Sequence, residues 1–132
     1  MVAVDSLGAM RALAVIRLVN GGLGLLAPNV LVRRLGVDPR QQPVANYPFR
    51  MFGIRTIVVG SDLLVLRGSQ LERAVQQAVV IHGCDTASAL LGGVRGEVSR
   101  RTAVMTTAVS AANTMLAVAA LRGRVWERAR GR

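Results

Sequence analysis

Five ionisable side chains lie inside apolar stretches of the sequence, and they are the residues best suited to chemistry. Arg17 lies in the first apolar stretch, Arg55 and Asp62 in the second, and His82 and Asp85 in the third. Charged groups in such surroundings are costly unless they are paired or face a wet cavity, so they are functional candidates. Because cations and acids can neutralise one another, we expect these groups to face inward and form one hydrogen-bonded network.

The candidate catalytic residues are Asp62, His82 and Asp85. His82 and Asp85 are three residues apart and are therefore neighbours on a helix surface. A carboxylate beside an imidazole can perform general acid–base catalysis, with Arg17 and Arg55 as electrostatic stabilisers. The alternative is a structural network, in which a satisfied core histidine and its neighbours only determine which helix faces meet. The sequence leaves both interpretations open.

Two rows of small and polar residues suggest where helices pack or bind. Asn20, Gly21, Gly24 and Pro28 lie within about 60° of Arg17 on a helical wheel, and Thr102, Thr106, Ser110 and Asn113 lie within about 80° of one another. Small residues let membrane helices approach closely, so each row is interpreted as a packing face, with a binding role as the alternative. The candidate binding residues are Arg17, Asn20, Arg50, Arg55 and Asn113.

These side chains require helices to position them. The apolar stretches predict an all-α fold, a four-helix transmembrane bundle, forming a single domain over residues 1–132. The predicted helices span about residues 8–27, 46–66, 70–94 and 102–121, and a basic tail covers 122–132. The first apolar stretch stops near Pro28 and Asn29, and residues 30–35 could add an amphipathic extension to it. The first helix is expected to remain in the mature protein.

Composition points to lipid as the surroundings. Of the 132 residues, 52% are hydrophobic and only 3% are aromatic. The net charge is +10, and every Lys or Arg position is an arginine. Nucleic-acid binding is not expected, because stacking groups do not interleave with the charge. Arginines between apolar stretches and in the tail suit anionic lipid headgroups in a multi-pass protein of the cell membrane. The five tail arginines and the even number of spans favour cytoplasmic termini, whereas the arginines of loops 33–40 and 95–101 argue for the opposite orientation.

No cofactor or metal ion is predicted. The sequence has no HExxH motif, nucleophile elbow or phosphate-binding glycine loop. The lone Cys84 excludes an intrachain disulfide and a thiolate metal cage.

A family resemblance covers nearly the whole chain. Its most specific part is the element Arg-x-Phe-Gly-x-Arg at residues 50–55, which follows Arg17, Gly21 and the stretches 25–28 and 35–39. The chain thereby resembles the small, largely uncharacterised four-helix DoxX-like membrane proteins of actinobacteria. In that family an acid often stands where this chain has Thr56, and two aspartates three apart often stand where it has His82 and Asp85. The resemblance implies a membrane bundle and supplies no reaction.

The first functional hypothesis is a small integral membrane protein that binds a lipophilic molecule or serves as an accessory subunit of a larger membrane complex. The alternative is a cofactor-independent membrane isomerase, cyclase or hydrolase acting on a polyketide, terpenoid or steroid-like substrate. A soluble basic helical bundle is the third hypothesis. Homo-oligomer formation is compatible with the first two.

Overall fold

The computed structural model describes residues 6–130, and no strand occurs in that range. The five α-helices are α1 (Ser6–Leu26), α2 (Pro28–Arg34), α3 (Asn46–Val65), α4 (Gly68–Val94) and α5 (Arg100–Arg130), with a 3-10 turn (Pro43–Ala45) before α3. The all-α prediction is confirmed. The predicted helices at 46–66 and 70–94 correspond closely to α3 and α4.

Two helix boundaries differ from the sequence prediction. The expected extension of the first helix is a separate short helix, α2, because Pro28 cannot continue α1 and instead occupies the first turn of α2. The chain therefore has five helices over the described range. The predicted tail is helical as far as Arg130, since its arginine and alanine residues favour a helix. Residues 131 and 132 of that tail lie outside the described range.

Helices α1 and α3 pack antiparallel at very short distance. Gly21 of α1 lies against Gly53 and Ile57, and Gly60 of α3 lies against Ala14 and Arg17. A Cβ atom added to Gly53 would lie 2.5 Å from the backbone nitrogen of α1 at residue 25. The interpretation of the small-residue row on the first helix as a packing face is therefore confirmed at Gly21.

Helices α4 and α5 form the second antiparallel pair. The hydroxyls of Thr86 and Thr114 are 3.1 Å apart, and Nη2 of Arg124 donates a 3.4 Å hydrogen bond to the carbonyl of Gly68. At the other end of the pair, a Cβ atom on Gly93 would meet Ala103. Helix α1 also packs on α5, which joins the two pairs into one bundle.

The bundle has two unlike halves along its length. The apolar half holds the start of α1, the end of α3, the start of α4 and the later part of α5; its core is formed by small and branched side chains, including Leu13, Leu63, Val75, Ala78 and Ala117. The opposite half, here called the cavity half, holds the end of α1, α2, the start of α3, the end of α4 and the start of α5.

Two helices are long and apolar enough to cross a membrane, as judged by length and composition: α1 and the stretch Arg100–Trp126 of α5. Helices α3 and α4 do not meet the same standard, because charged and amide side chains interrupt them. The prediction of membrane-spanning helices is thus supported for two of the four long helices, α1 and α5.

Candidate functional site

A cavity of about 290 Å³ lies in the cavity half and receives side chains from all five helices. Its walls are mainly apolar, and they are formed by Leu31, Leu35, Phe49, Phe52, Met105 and Val109. Polar side chains that also line it are buried near the middle of the bundle: Arg17, Thr56, His82 and Asn113. We call these four residues the polar floor. Such a cavity suits a molecule with a long apolar part and a small polar group.

Arg17 and His82 connect two helices across the bundle. Nη1 of Arg17 contacts Nε2 of His82 and lies 3.2 Å from Nδ1 of the same ring. A guanidinium has only donors, so the imidazole nitrogen that it meets must be unprotonated. His82 therefore takes part in this contact as a neutral acceptor, with its proton on Nδ1.

Asp85 extends this arrangement towards the surface. Its Oδ2 lies 3.9 Å from Nδ1 of His82, too far for a hydrogen bond but close enough for an electrostatic attraction. The Asp85 side chain is 35% exposed and lines the cavity, whereas His82 is buried. Arg17, His82 and Asp85 thus form a row that runs from two buried side chains to a partly exposed one.

Two buried polar atoms of the floor have no hydrogen-bond partner. They are Nε of Arg17 and Oγ1 of Thr56, on side chains that are 3% and 2% exposed. Most buried polar atoms in native proteins are paired, because an unpaired one loses its bonds to water without replacement. The floor therefore has hydrogen-bonding capacity that the protein does not itself use.

The structure brings together five of the residues singled out in the sequence. Arg17, Asn20, His82, Asp85 and Asn113 all line the cavity. The row of small and polar residues on the fourth predicted helix also faces inward, since Thr106, Ser110 and Asn113 line the cavity.

The prediction of one network containing all five ionisable groups is wrong for Arg55 and Asp62. Arg55 is exposed, and Asp62 is half-buried and does not line the cavity. Helix α3 buries the face formed by Gly53, Thr56 and Gly60, which leaves the neighbouring Arg55–Asp62 stripe beside the interface. Arg50, a predicted binding residue, is also exposed and outside the cavity lining.

Sequence reasoning missed several cavity residues. Phe49, Phe52 and Thr56 recur at spacings of three and four, which places them on one helix face, and this signal could have revealed them. Arg34 reaches the cavity because α2 starts in a new direction at Pro28. Pro28 marks the break, but no local pattern gives the direction of α2.

Within residues 6–130, no group of three or more His, Cys, Asp or Glu side chains is placed so that it could hold a metal ion. Comparisons with protein-family models, curated proteins and solved structures find no match to this chain. The resemblance to DoxX-like proteins stays a prediction. The chemistry of the cavity is therefore the main guide to function.

Proposed function

We propose that this chain is a small multi-pass membrane protein that binds a lipophilic molecule in the cavity between its helices. The observation that carries the proposal is the cavity itself, with apolar walls above a polar floor. Ligand pockets commonly combine a mainly apolar lining with a few polar groups that orient the ligand. An accessory role in a larger membrane complex would use the outer surface and would leave the cavity unexplained.

The outer surface supports the membrane part of the proposal. Each long helix exposes apolar side chains, among them Val19, Ile54, Val58, Val80, Val104 and Met115. In the spanning stretch of α5 only 17% of the residues are buried. Apolar surface of this extent is unfavourable in water and suits the hydrocarbon region of a bilayer.

The proposed bundle has α1, α3, α4 and α5 as its spans and α2 as a short segment over the cavity half. Arginines lie at both ends: Arg33, Arg34 and Arg40 at the cavity end, and Arg67 and Arg73 at the other. These positions suit anionic headgroups. We expect both termini on the cytoplasmic side, since α1 begins and α5 ends at the same end, which also carries Arg122, Arg124 and Arg130. The predicted resemblance to DoxX-like proteins is consistent with such a bundle.

Cys84 offers a test of the membrane proposal. It is the sole cysteine of the sequence and is exposed on α4, at a position that lipid would cover. In nanodiscs, a charged maleimide is expected to leave Cys84 unlabelled, whereas the same reagent labels it after unfolding in SDS. As a control, Gln41→Cys in a Cys84→Ala background should label readily, because residue 41 is exposed between α2 and α3. Rapid labelling of Cys84 in nanodiscs would instead favour the soluble-bundle hypothesis.

A substitution at Val109 tests whether a lipophilic molecule binds in the cavity. Val109 lines the cavity, so Val109→Trp is expected to fill it and to remove any small lipophile that co-purifies with the wild-type protein. Val104→Trp is the matched control, because Val104 is exposed on the same helix outside the cavity lining. Gentle purification followed by mass spectrometry measures the bound molecule at fixed stoichiometry. Equal recovery from both variants would contradict binding in this cavity.

A second candidate function is acid–base catalysis, favoured by His82 and Asp85 lying 3.9 Å apart at the cavity. The same extraction applied to Asp85→Asn separates the two functions. A binding protein should carry the same molecule with and without the carboxylate. An enzyme should retain unconverted substrate in the variant, which differs from the molecule recovered with the wild type.

A further inference from the structure

The guanidinium of Arg17 is a buried cation that no carboxylate contacts directly, although the charge of Asp85 attracts it from beyond ion-pair distance. Its side chain is 3% exposed, and its one hydrogen-bond partner is the neutral ring of His82. No carboxylate lies within ion-pair distance of Arg17 in the part of the chain that the structure describes, and Asp85 lies 3.9 Å from the neutral ring of His82 instead. A buried charge is strongly disfavoured unless an opposite charge or several hydrogen bonds compensate it.

The remaining donors of the floor match a carboxylate. Arg17 uses Nη1 for His82, and its buried Nε has no partner in the described range. Adjacent N–H groups of a guanidinium can bind the two oxygens of one carboxylate in parallel. The hydroxyl of Thr56, on α3, is buried and unpartnered, and the amide of Asn113, on α5, is buried at the same cavity. Donors from three helices therefore line the same cavity.

The charge of the lining also favours an anion. Two arginines, Arg17 and Arg34, line the cavity against a single aspartate, Asp85. Arg34 is exposed, so Arg17 is the buried cation of the lining. A neutral lipophile would leave Arg17 without a directly bound anion, whereas a carboxylate would supply one.

We propose that the ligand of the cavity is a lipophilic carboxylate, with its head group bound by Arg17 and Thr56 and its apolar part between Phe49, Phe52, Met105 and Val109. This inference rests on the proposed function and specifies its ligand class. The volume of about 290 Å³ lies near the lower limit for ligand pockets, which favours a medium-length chain or a small ring system.

Binding of matched probes to the full chain in nanodiscs tests the head group. The probes are radiolabelled decanoate, decanol and decyl phosphate at pH 7.5, and Val109→Trp supplies the baseline for partition into lipid. We expect decanoate to bind the wild type above this baseline and more tightly than either other probe. Arg17→Gln should weaken decanoate binding by roughly tenfold to a hundredfold and leave decanol unchanged.

One further test variant and two controls keep the test independent of a folding defect in Arg17→Gln. Arg33→Gln removes an exposed arginine outside the cavity lining and should leave decanoate binding unchanged. Thr56→Val keeps the side-chain shape and removes only the unpartnered hydroxyl, so the fold should persist while decanoate binding falls about fivefold. Thr86→Val is its control, since the Thr86 hydroxyl bonds to Thr114 and to the His82 carbonyl outside the cavity.

The outcomes separate this inference from the proposed function. Decanol binding equal to decanoate binding, with no effect of Thr56→Val, would overturn the carboxylate inference and leave lipophile binding in place. Tighter binding of decyl phosphate would likewise overturn it and indicate a phosphate head group. If no probe binds the wild type above the Val109→Trp baseline, both the inference and the proposed lipophile binding are wrong.

Discussion

Gly53→Ala is expected to lower the free energy of unfolding by about 2–3 kcal/mol, because the added methyl group forces α1 and α3 apart. The new Cβ would lie 2.5 Å from the backbone nitrogen of Leu25 and 2.7 Å from the carbonyl oxygen of Gly21. Backbone atoms cannot move aside by changing rotamer, so the helices themselves must shift. The gain in helix propensity, about 1 kcal/mol, offsets only part of this cost. Equilibrium unfolding by SDS titration in mixed micelles measures the difference.

Gly22→Ala is the matched control for that substitution. Gly22 neighbours Gly21 on α1, yet no atom lies within 4 Å of a Cβ built there. Its replacement should therefore be neutral or stabilising by up to about 1 kcal/mol. If Gly53→Ala were no more destabilising than Gly22→Ala, the close approach of α1 and α3 would be wrong.

His82→Leu is expected to destabilise the protein by about 2–3 kcal/mol, and adding Arg17→Met should recover much of that loss. The first change leaves the buried guanidinium of Arg17 without its one partner, since that partner is the imidazole ring. The second change removes the charge itself. Arg17→Met alone leaves only a neutral imidazole unpaired, so it should cost about 1 kcal/mol or less. The same unfolding titrations measure all three variants.

A double-mutant cycle gives the interaction energy between the two side chains. We expect at least about 1 kcal/mol, the range found for residues in direct contact. Arg11→Met is the control, because Arg11 is exposed on the same helix and its loss should change stability by no more than about 0.5 kcal/mol. Additive effects of His82→Leu and Arg17→Met would show that the two residues do not interact in the folded protein.

The substitutions at Gly53 and His82 test two contacts that together position the cavity residues. The glycine contacts bring α1 and α3 together along their length, and they thereby place Arg17 opposite the polar face of the other helices. The Arg17–His82 contact then joins α1 to α4, a pair of helices that otherwise has little packing between them. Loss of the first contact should therefore also disturb the cavity, whereas loss of the second should leave the glycine packing in place.

Much of the fold was determined by the sequence itself. Long apolar stretches separated by glycine, proline and arginine predict helices, and α3 and α4 follow those limits within two residues. The rows containing Gly21 and Asn113 were also correctly assigned to inward faces, because side chains three and four residues apart share one side of a helix. These features depend on local spacing, which a single sequence displays.

Only the tertiary structure decided which polar groups meet. Arg17 and His82 are 65 residues apart, and a wheel for each helix cannot show which face of one meets which face of the other. Arg55 satisfied the same local criteria as Arg17, yet the glycines and Thr56 of α3 turned it outward, because close packing rewards the smallest side chains. The cavity likewise depends on α2 folding back at Pro28 and on four other helices, so its existence follows from packing and not from any one segment.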